Sequence, residues 1–324
     1  MVRRSVNYNN RKDLARLVPL SDTPLGLTRE GVQQTLEPFV ARHVGKHDPS
    51  WVAAVSARRR AARKKLFRRL LRQERREGTE VFREYDKLWR RLDFAGYAPQ
   101  EKRTEGEPWE WGDDAMFAHS FGGARVRLLY LMRAIEWLQP ASVLEVGFGN
   151  GVNLLPLACR FPHIRFAGLE LTESGLAQAK AVQEQAQLPL ALQQFSPEAP
   201  RQLDAHRAIE LRQGSATDIP FAENSFDLVF SSLALEQMER IRPQALSEFA
   251  RVTHRHTVML EPFRDTNRTG LPREYILAWD YFRGSIGELK THGLYPVLAS
   301  SDMPSEAWLK PCLVVCEKRS AGSP

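Results

Sequence analysis

The apolar run Val143-Leu144-Glu145-Val146 ends in Gly147-Phe148-Gly149-Asn150-Gly151, and Val152 to Ala158 then begins a helical pattern. Few folds accept a strand that passes through alternating glycines straight into a helix. Glycine at those positions lets the backbone turn sharply and approach a ligand closely, which a side chain would prevent. A dinucleotide fingerprint would place its third glycine at position 152, where this chain has Val. The turn is Gly-x-Gly-x-Gly, and the rest of the chain has to say what it holds.

Beyond that turn the hydrophobic period switches repeatedly. Strand-like runs at 143–146, 165–169, 209–212, 226–230 and 256–260 alternate with helical patterns at 153–160, 174–187 and 243–252. Short apolar strands alternating with amphipathic helices predict an α/β protein with a doubly wound, mainly parallel sheet. Two more runs, 294–298 and 313–316, complete the set, and Cys312 and Cys316 fall in the last of them as reduced core residues. With Cys159 they make no disulfide framework and no metal-ligand spacing, so no metal is expected.

The N-terminal third has a different character. Residues 1–112 hold 25 Lys and Arg against 15 Asp and Glu, while residues 113–324 hold 21 against 24. The net charge of +7 is thus concentrated before residue 113. A short helix is expected at 28–41, then a long helical stretch from Trp51 to Phe94, either continuous or broken near Gly78. A linker or cap at 96–112 and a helix from Asp114 to Leu138 follow. We therefore divide the chain into a basic helical N-terminal extension or cap, 1–112, and a main domain, 113–324. No stretch approaches the roughly 20 apolar residues of a membrane span, and no apolar leader follows Met1-Val2-Arg3-Arg4, so a cytoplasmic location is expected.

The run Leu144-Glu145-Val146-Gly147-x-Gly149-x-Gly151 resembles the first motif of class I S-adenosylmethionine-dependent methyltransferases. Gly214-Ser215-Ala216-Thr217-Asp218-Ile219-Pro220-Phe221, followed by Ser225-Phe226-Asp227, is similar to the small-molecule methyltransferases related to quinone-biosynthesis enzymes. The resemblance covers about residues 125–260. It implies a Rossmann-like, seven-stranded sheet whose last strands form an antiparallel hairpin, with S-adenosyl-L-methionine as cofactor.

On that resemblance the cofactor contacts fall on Glu145, Gly147, Gly149, Asn150, Gly151, Glu170, Leu171, Ser215, Ala216 and Ser231. Glu170 stands 23 residues after Gly147, where a carboxylate can accept both ribose hydroxyls. Ser215 replaces the acid that usually meets the adenine amino group. Gln237 replaces a common histidine, which leaves Glu236 as the nearest titratable group, with His119 a second candidate base. Gln237, Glu261 and Tyr281 are assigned to the acceptor side.

The motifs do not name the acceptor. The segment Ser231-Ser232-Leu233-Ala234 lacks the Asn or Asp-Pro-Pro-aromatic tetrapeptide of base-amine methylation, and no cysteine falls where pyrimidine-carbon chemistry needs one. A small-molecule or glycan acceptor with oxygen as the nucleophile is expected. The basic stretch from Arg58 to Arg76 keeps other readings open: a self-packed or solvated helix, an RNA substrate, an anionic membrane surface or a protein partner. A non-catalytic scaffold that retains the cofactor fold is the remaining alternative.

Overall fold

The computed structural model describes residues 17–72, 78–99 and 106–319. Its N-terminal part contains α1 (Arg29–Leu36), β1 (Val40–Val44), α2 (Pro49–Arg72) and α3 (Gly78–Arg91). Thr28 caps α1 by accepting a hydrogen bond from the Gly31 N–H, and Pro38 ends the helical run. Next come β2 (Glu107–Trp111), β3 (Asp114–Ala118) and α4 (Ser120–Leu138).

The remainder alternates as β4 (Ser142–Val146), α5 (Leu154–Arg160), β5 (Arg165–Glu170), α6 (Glu173–Gln183), α7 (Leu190–Phe195), β6 (Glu210–Gln213), β7 (Phe226–Ser232), α8 (Arg242–Val252) and β8 (Thr253–Glu261). It ends with α9 (Gly270–Trp279), β9 (Leu294–Ser300), β10 (Ser305–Glu306) and β11 (Cys312–Lys318). Seven strands form one sheet in the order β6-β5-β4-β7-β8-β11-β9. The first five pair in parallel, and β11 lies antiparallel between β8 and β9. This is the Rossmann-like α/β architecture that the alternating periods and the resemblance predict.

Both faces of the sheet are covered, which is why its central strands read as nearly unbroken apolar runs. Val143, Phe166, Leu228, Val258 and Val315 belong to the core on one side; Leu144, Ala167, Val229, Met259 and Val314 belong to the core on the other. Cys159, Cys312 and Cys316 are buried and free, and burial pushes all three thiols up, as expected of inert core residues.

A second sheet accompanies the helices of the N-terminal part, where the sequence predicts a helical extension or cap. It runs β1-β3-β2-β10, antiparallel throughout, and draws strands from three distant parts of the chain. Asp114–Ala118 is therefore a strand and not the start of a helix, and α4 begins only at Ser120. Gly112, at φ +58°, supplies the turn that folds β3 back on β2. The boundary drawn at 112/113 falls inside this hairpin, so the basic segment and the main domain share a sheet.

The long helical stretch is two helices, α2 and α3. The basic face of α2 is largely used internally: Arg58 pairs with Glu107 at 2.9 Å, Arg63 with Glu274 at 2.8 Å, and Arg69 with Asp280 at 2.9 Å. The Lys65 ammonium stands 4.3 Å from the Trp279 ring centroid and the Arg58 guanidinium 4.0 Å from that of Trp308. Arg72 closes the described part of α2, while Arg75 and Arg76 lie outside the described residues. Among the described residues no helix is long and apolar enough to cross a membrane.

Candidate cofactor and acceptor site

In an open parallel sheet a ligand site forms beyond the carboxyl ends of the strands, where strand order reverses about the first strand. Here that strand is β4, with β5 on one side and β7 on the other. The loop after it carries Gly147, Gly149 and Gly151 at φ +77°, +59° and +87°, a left-handed backbone that glycine adopts without steric cost. A Cβ on Gly147 would come within 2.5 Å of the Ala234 Cβ, so the loop after β7 closes directly on this turn.

Glu170, the last residue of β5, holds the loop in place. Its Oε2 accepts the Gly149 N–H at 2.9 Å, and its Oε1 accepts the Thr172 N–H at 2.8 Å and the Thr172 hydroxyl at 2.6 Å. A carboxylate oxygen can accept two hydrogen bonds, so Oε2 keeps one position for a further donor. Glu170 thus braces the turn and still presents an acceptor to the cavity beyond it.

That cavity has a volume of about 560 Å3. Gly147, Gly149, Glu170, Leu171, Ser215 and Ala216, all expected on the cofactor side, line one side of it. Gln237 and Glu236 stand on the other side, together with Ser232, Leu233 and Ala234. Ser215 shares a hydrogen bond with the Thr217 hydroxyl at 2.8 Å and also receives the Thr217 N–H, which fixes the loop that should meet the adenine. Asp218, outside that loop's inner edge, is exposed and does not line the cavity.

Several expected contacts lie one layer deeper. Glu145 is buried beneath the turn, where Oε1 accepts the Asn153 amide N–H at 3.0 Å and Oε2 has no partner. Burial pushes its carboxyl up to about 8. Asn150 is fully buried beside the Tyr97 hydroxyl, with neither side-chain polar atom in hydrogen-bond geometry. Gly151 and Ser231 also stand behind the lining. These four residues shape the turn and the strand ends, and they do not face the cavity.

The acceptor-side expectations separate in the same way. Glu261 ends β8 with a buried carboxyl: Oε1 accepts the Ala234 and Leu235 N–H groups and Oε2 that of Glu236, each at 3.1 Å. Its position makes it a clasp for the loop after β7. His119 caps α4 by accepting the Phe121 N–H at 3.3 Å, and Tyr281 packs edge-on to Tyr275 with centroids 5.9 Å apart. Neither lines the cavity.

Glu236 does line it. Gln237 donates to its Oε1 at 2.6 Å, while Oε2 is buried without a partner. Burial, reinforced by the neighbouring Glu261, pushes the Glu236 carboxyl up to about 8, so it carries a proton at neutral pH.

The sequence reading did not assign the roof of the site. The stripe Val81, Phe82, Tyr85, Leu88 and Trp89 on α3 faces the cavity, and no residue of α3 is fully buried. An apolar helix face directed at empty space is completed by a ligand rather than by the protein's own core. Asp86 and Ser174 tie α3 to α6: the Ser174 hydroxyl donates to the Asp86 carbonyl at 2.9 Å and its N–H to Oδ1 at 3.2 Å. The Gln178 amide donates to the Leu92 carbonyl at 3.0 Å and to that of Trp89. The helical period had revealed this stripe, but only the fold shows that it turns inward over the glycine loop.

The chain matches the methyltransferase domain family over residues 144–260. No curated protein sequence matches. Among solved structures, the [4+2]-cyclase SpnF is 14% identical, with 75% of this chain and 96% of that one covered and a TM-score of 0.48. The YcgJ protein of Bacillus subtilis is 16% identical (60% and 98% covered, TM-score 0.42), and a SAM-dependent methyltransferase of Methanosarcina mazei is 12% identical (56% and 93%, TM-score 0.42). Likenesses this distant say nothing about the acceptor.

The family match begins inside β4 and ends in β8, and so spans the glycine turn, Glu170, the Ser215 loop and the Glu236 loop. These residues fit the donor, with a side-chain-free turn for close approach and a carboxylate for paired hydroxyls, and the apolar face of α3, outside the matched residues, covers them. The chain thus carries a class I methyltransferase domain, an enzyme domain whose methyl donor is S-adenosyl-L-methionine.

Proposed function

We propose that the protein transfers the methyl group to an oxygen of a small-molecule acceptor held beneath α3. The observation that carries this reading is the apolar roof that α3 places over the cavity. The roof is formed by Val81, Phe82, Tyr85 and Trp89, and the cavity's 560 Å3 includes the donor's own place beside Gly147, Glu170 and Ser215, so what remains is of small-molecule size. A polymer would need an open polar trough running onto the basic helix, and among the described residues none from α2 lines the cavity.

When bound, S-adenosyl-L-methionine supplies an electrophilic methyl group. What the chain adds is alignment of the nucleophile and control of its proton. The clasp of Glu261 on the backbone of residues 234–236 fixes Glu236 at the cavity wall, and Gln237 holds one of its oxygens. Glu236 takes the acceptor's proton once it is itself ionised, which its raised pKa places on the alkaline side of neutral.

Calorimetric titration with S-adenosylhomocysteine, followed by transfer of labelled methyl to a panel of hydroxyl-bearing aromatic compounds and to total RNA, tests the reading. Labelled small molecules support it. Labelled RNA would replace it with the polymer reading, and no cofactor uptake would leave a scaffold.

The outer face of α2 supports a second role, docking to an anionic membrane surface. Phe67, Leu70 and Leu71 are 62%, 70% and 69% exposed, and Arg60, Lys64 and Arg68 are exposed around them. A surface that mixes protruding apolar groups with cations suits a lipid interface better than a phosphate backbone, which needs charge alone. Sedimentation with phosphatidylglycerol vesicles should be lost on replacing Phe67, Leu70 and Leu71 with Ser. Vesicle binding unaffected by that change would remove this role.

A further inference from the structure

Arg127 enters the site from α4 at the junction of two cavities. It lines the large cleft and also a side chamber of about 100 Å3, whose other walls include Trp109, Ser120, Gly123, Glu306 and Leu309. Its Nε donates to the Ser232 hydroxyl at 3.2 Å. That is its only hydrogen bond among the described residues, and none of their carboxylates lies within ion-pair distance. Neither terminal NH2 group has a hydrogen-bond partner among the described residues, and both cavities are open to Arg127.

A guanidinium does not lose its proton in a protein, so the half-buried Arg127 stays charged and is best met there by an anion or a set of acceptors. The surrounding carboxyls do not supply these. Glu261 is engaged by the N–H groups of residues 234–236, and Glu236 by Gln237. Burial pushes Glu236 up to about 8 and Glu306 up to about 7, so near neutral pH they are largely or partly protonated. A planar fork of donors beside a small empty chamber matches a carboxylate, which it can hold through two parallel hydrogen bonds.

Resting on the methyltransferase reading, we propose that Arg127 binds a carboxylate of the methyl acceptor in the side chamber, making the substrate an acid whose nucleophilic atom reaches into the main cleft. Arg127 is then a specificity-determining residue: an acid enters with its charge compensated, whereas a neutral analogue leaves the guanidinium unpaired.

The charges facing Arg127 come from several elements, Glu236 on the loop after β7, Glu261 on β8, Glu306 on β10 and Tyr97, and Glu306 is itself faced by Glu107 on β2 and Arg58 on α2. Ionising Glu306 and Glu236 places negative charge beside the bound carboxylate. Acid binding should therefore weaken from pH 6 to pH 8.

The test uses benzoate and its neutral near-isostere benzamide, followed by ligand-observed NMR, with S-adenosylhomocysteine uptake measured first. Wild-type protein should bind benzoate at least tenfold more tightly than benzamide at pH 6, with the preference shrinking by pH 8. Arg127→Gln should abolish the preference and leave S-adenosylhomocysteine affinity within twofold; Arg127→Lys should retain part of it. Equal binding of benzoate and benzamide by the wild type, a comparison that needs no variant to fold, would overturn the inference while leaving the donor site intact. A benzoate preference unchanged in Arg127→Gln would overturn it as well. A benzoate preference in protein that takes up no S-adenosylhomocysteine would overturn the acceptor role together with the methyltransferase reading, and leave only an anion site.

Discussion

Trp89 lies against Gly149 so closely that a Cβ at residue 149 would fall 2.5 Å from the indole Cζ2. Gly149 also has φ +59° and donates its N–H to Glu170. Alanine there meets a ring and a strained backbone together. Gly149→Ala should lose S-adenosylhomocysteine binding by at least tenfold in a calorimetric titration. Trp89→Ala leaves the backbone undisturbed and should weaken binding less, while removing any fluorescence change that accompanies cofactor uptake.

Glu236 sets the pH dependence of turnover if it receives the acceptor's proton. Its folded pKa is raised, so the ionised form becomes the majority only above about pH 8. With the acceptor found in the screen, kcat should rise from pH 7 to 9 along a single ionisation. Glu236→Gln should flatten that limb and lower the plateau by roughly 10²–10⁴-fold, the usual contribution of a positioned base. A variant that keeps the full pH profile would assign Glu236 to holding the loop.

Glu145 should leave its mark on stability instead. Its carboxyl is raised in the fold, so folding favours the protonated form; that stability is complete below the unfolded pKa near 4.5 and is lost as pH rises through about 8. Glu145→Gln keeps an acceptor for Asn153 and cannot ionise. Its melting temperature should match that of the wild type at pH 5 and lie above it at pH 8.5, measured by scanning calorimetry.

Glu261→Ala should be costly at every pH. Three N–H groups, those of Ala234, Leu235 and Glu236, would lose their acceptor inside the protein. Losing a buried acceptor costs about 1–3 kcal/mol per unsatisfied group. Chemical denaturation should show a drop of that order or greater, and hydrogen exchange at residues 234–236 should accelerate beyond that of the neighbouring strand β7.

The donor half was legible because its physics is local. Glycines that permit a turn, a carboxylate at the next strand end and the Ser215 loop all announce themselves over a few neighbouring residues. The acceptor half depends on assembly. Arg127 is one arginine among many in an ordinary helical pattern, and Val81, Phe82 and Tyr85 belong to a stripe that could equally have packed on another helix. Asp114–Ala118 ran on into the apolar pattern of α4, so its strand was hidden until β1 and β2 were seen to pair with it. His119 and Tyr281 show the converse: suitable chemistry near the right strand, directed by the fold to a helix cap and an aromatic cluster.

The second sheet gives the two halves of the site different histories. The donor surface comes largely from one stretch, between β4 and the Ser215 loop, whereas the side chamber gathers residues from β2, α4 and the segment around β10. During synthesis the chamber cannot close until the ribosome has passed residue 311, long after the glycine turn is complete. Substitutions that redraw the chamber need not disturb the turn. If the chamber holds the acceptor as proposed, a lineage built on this plan can exchange one acceptor for another while its donor chemistry stays fixed.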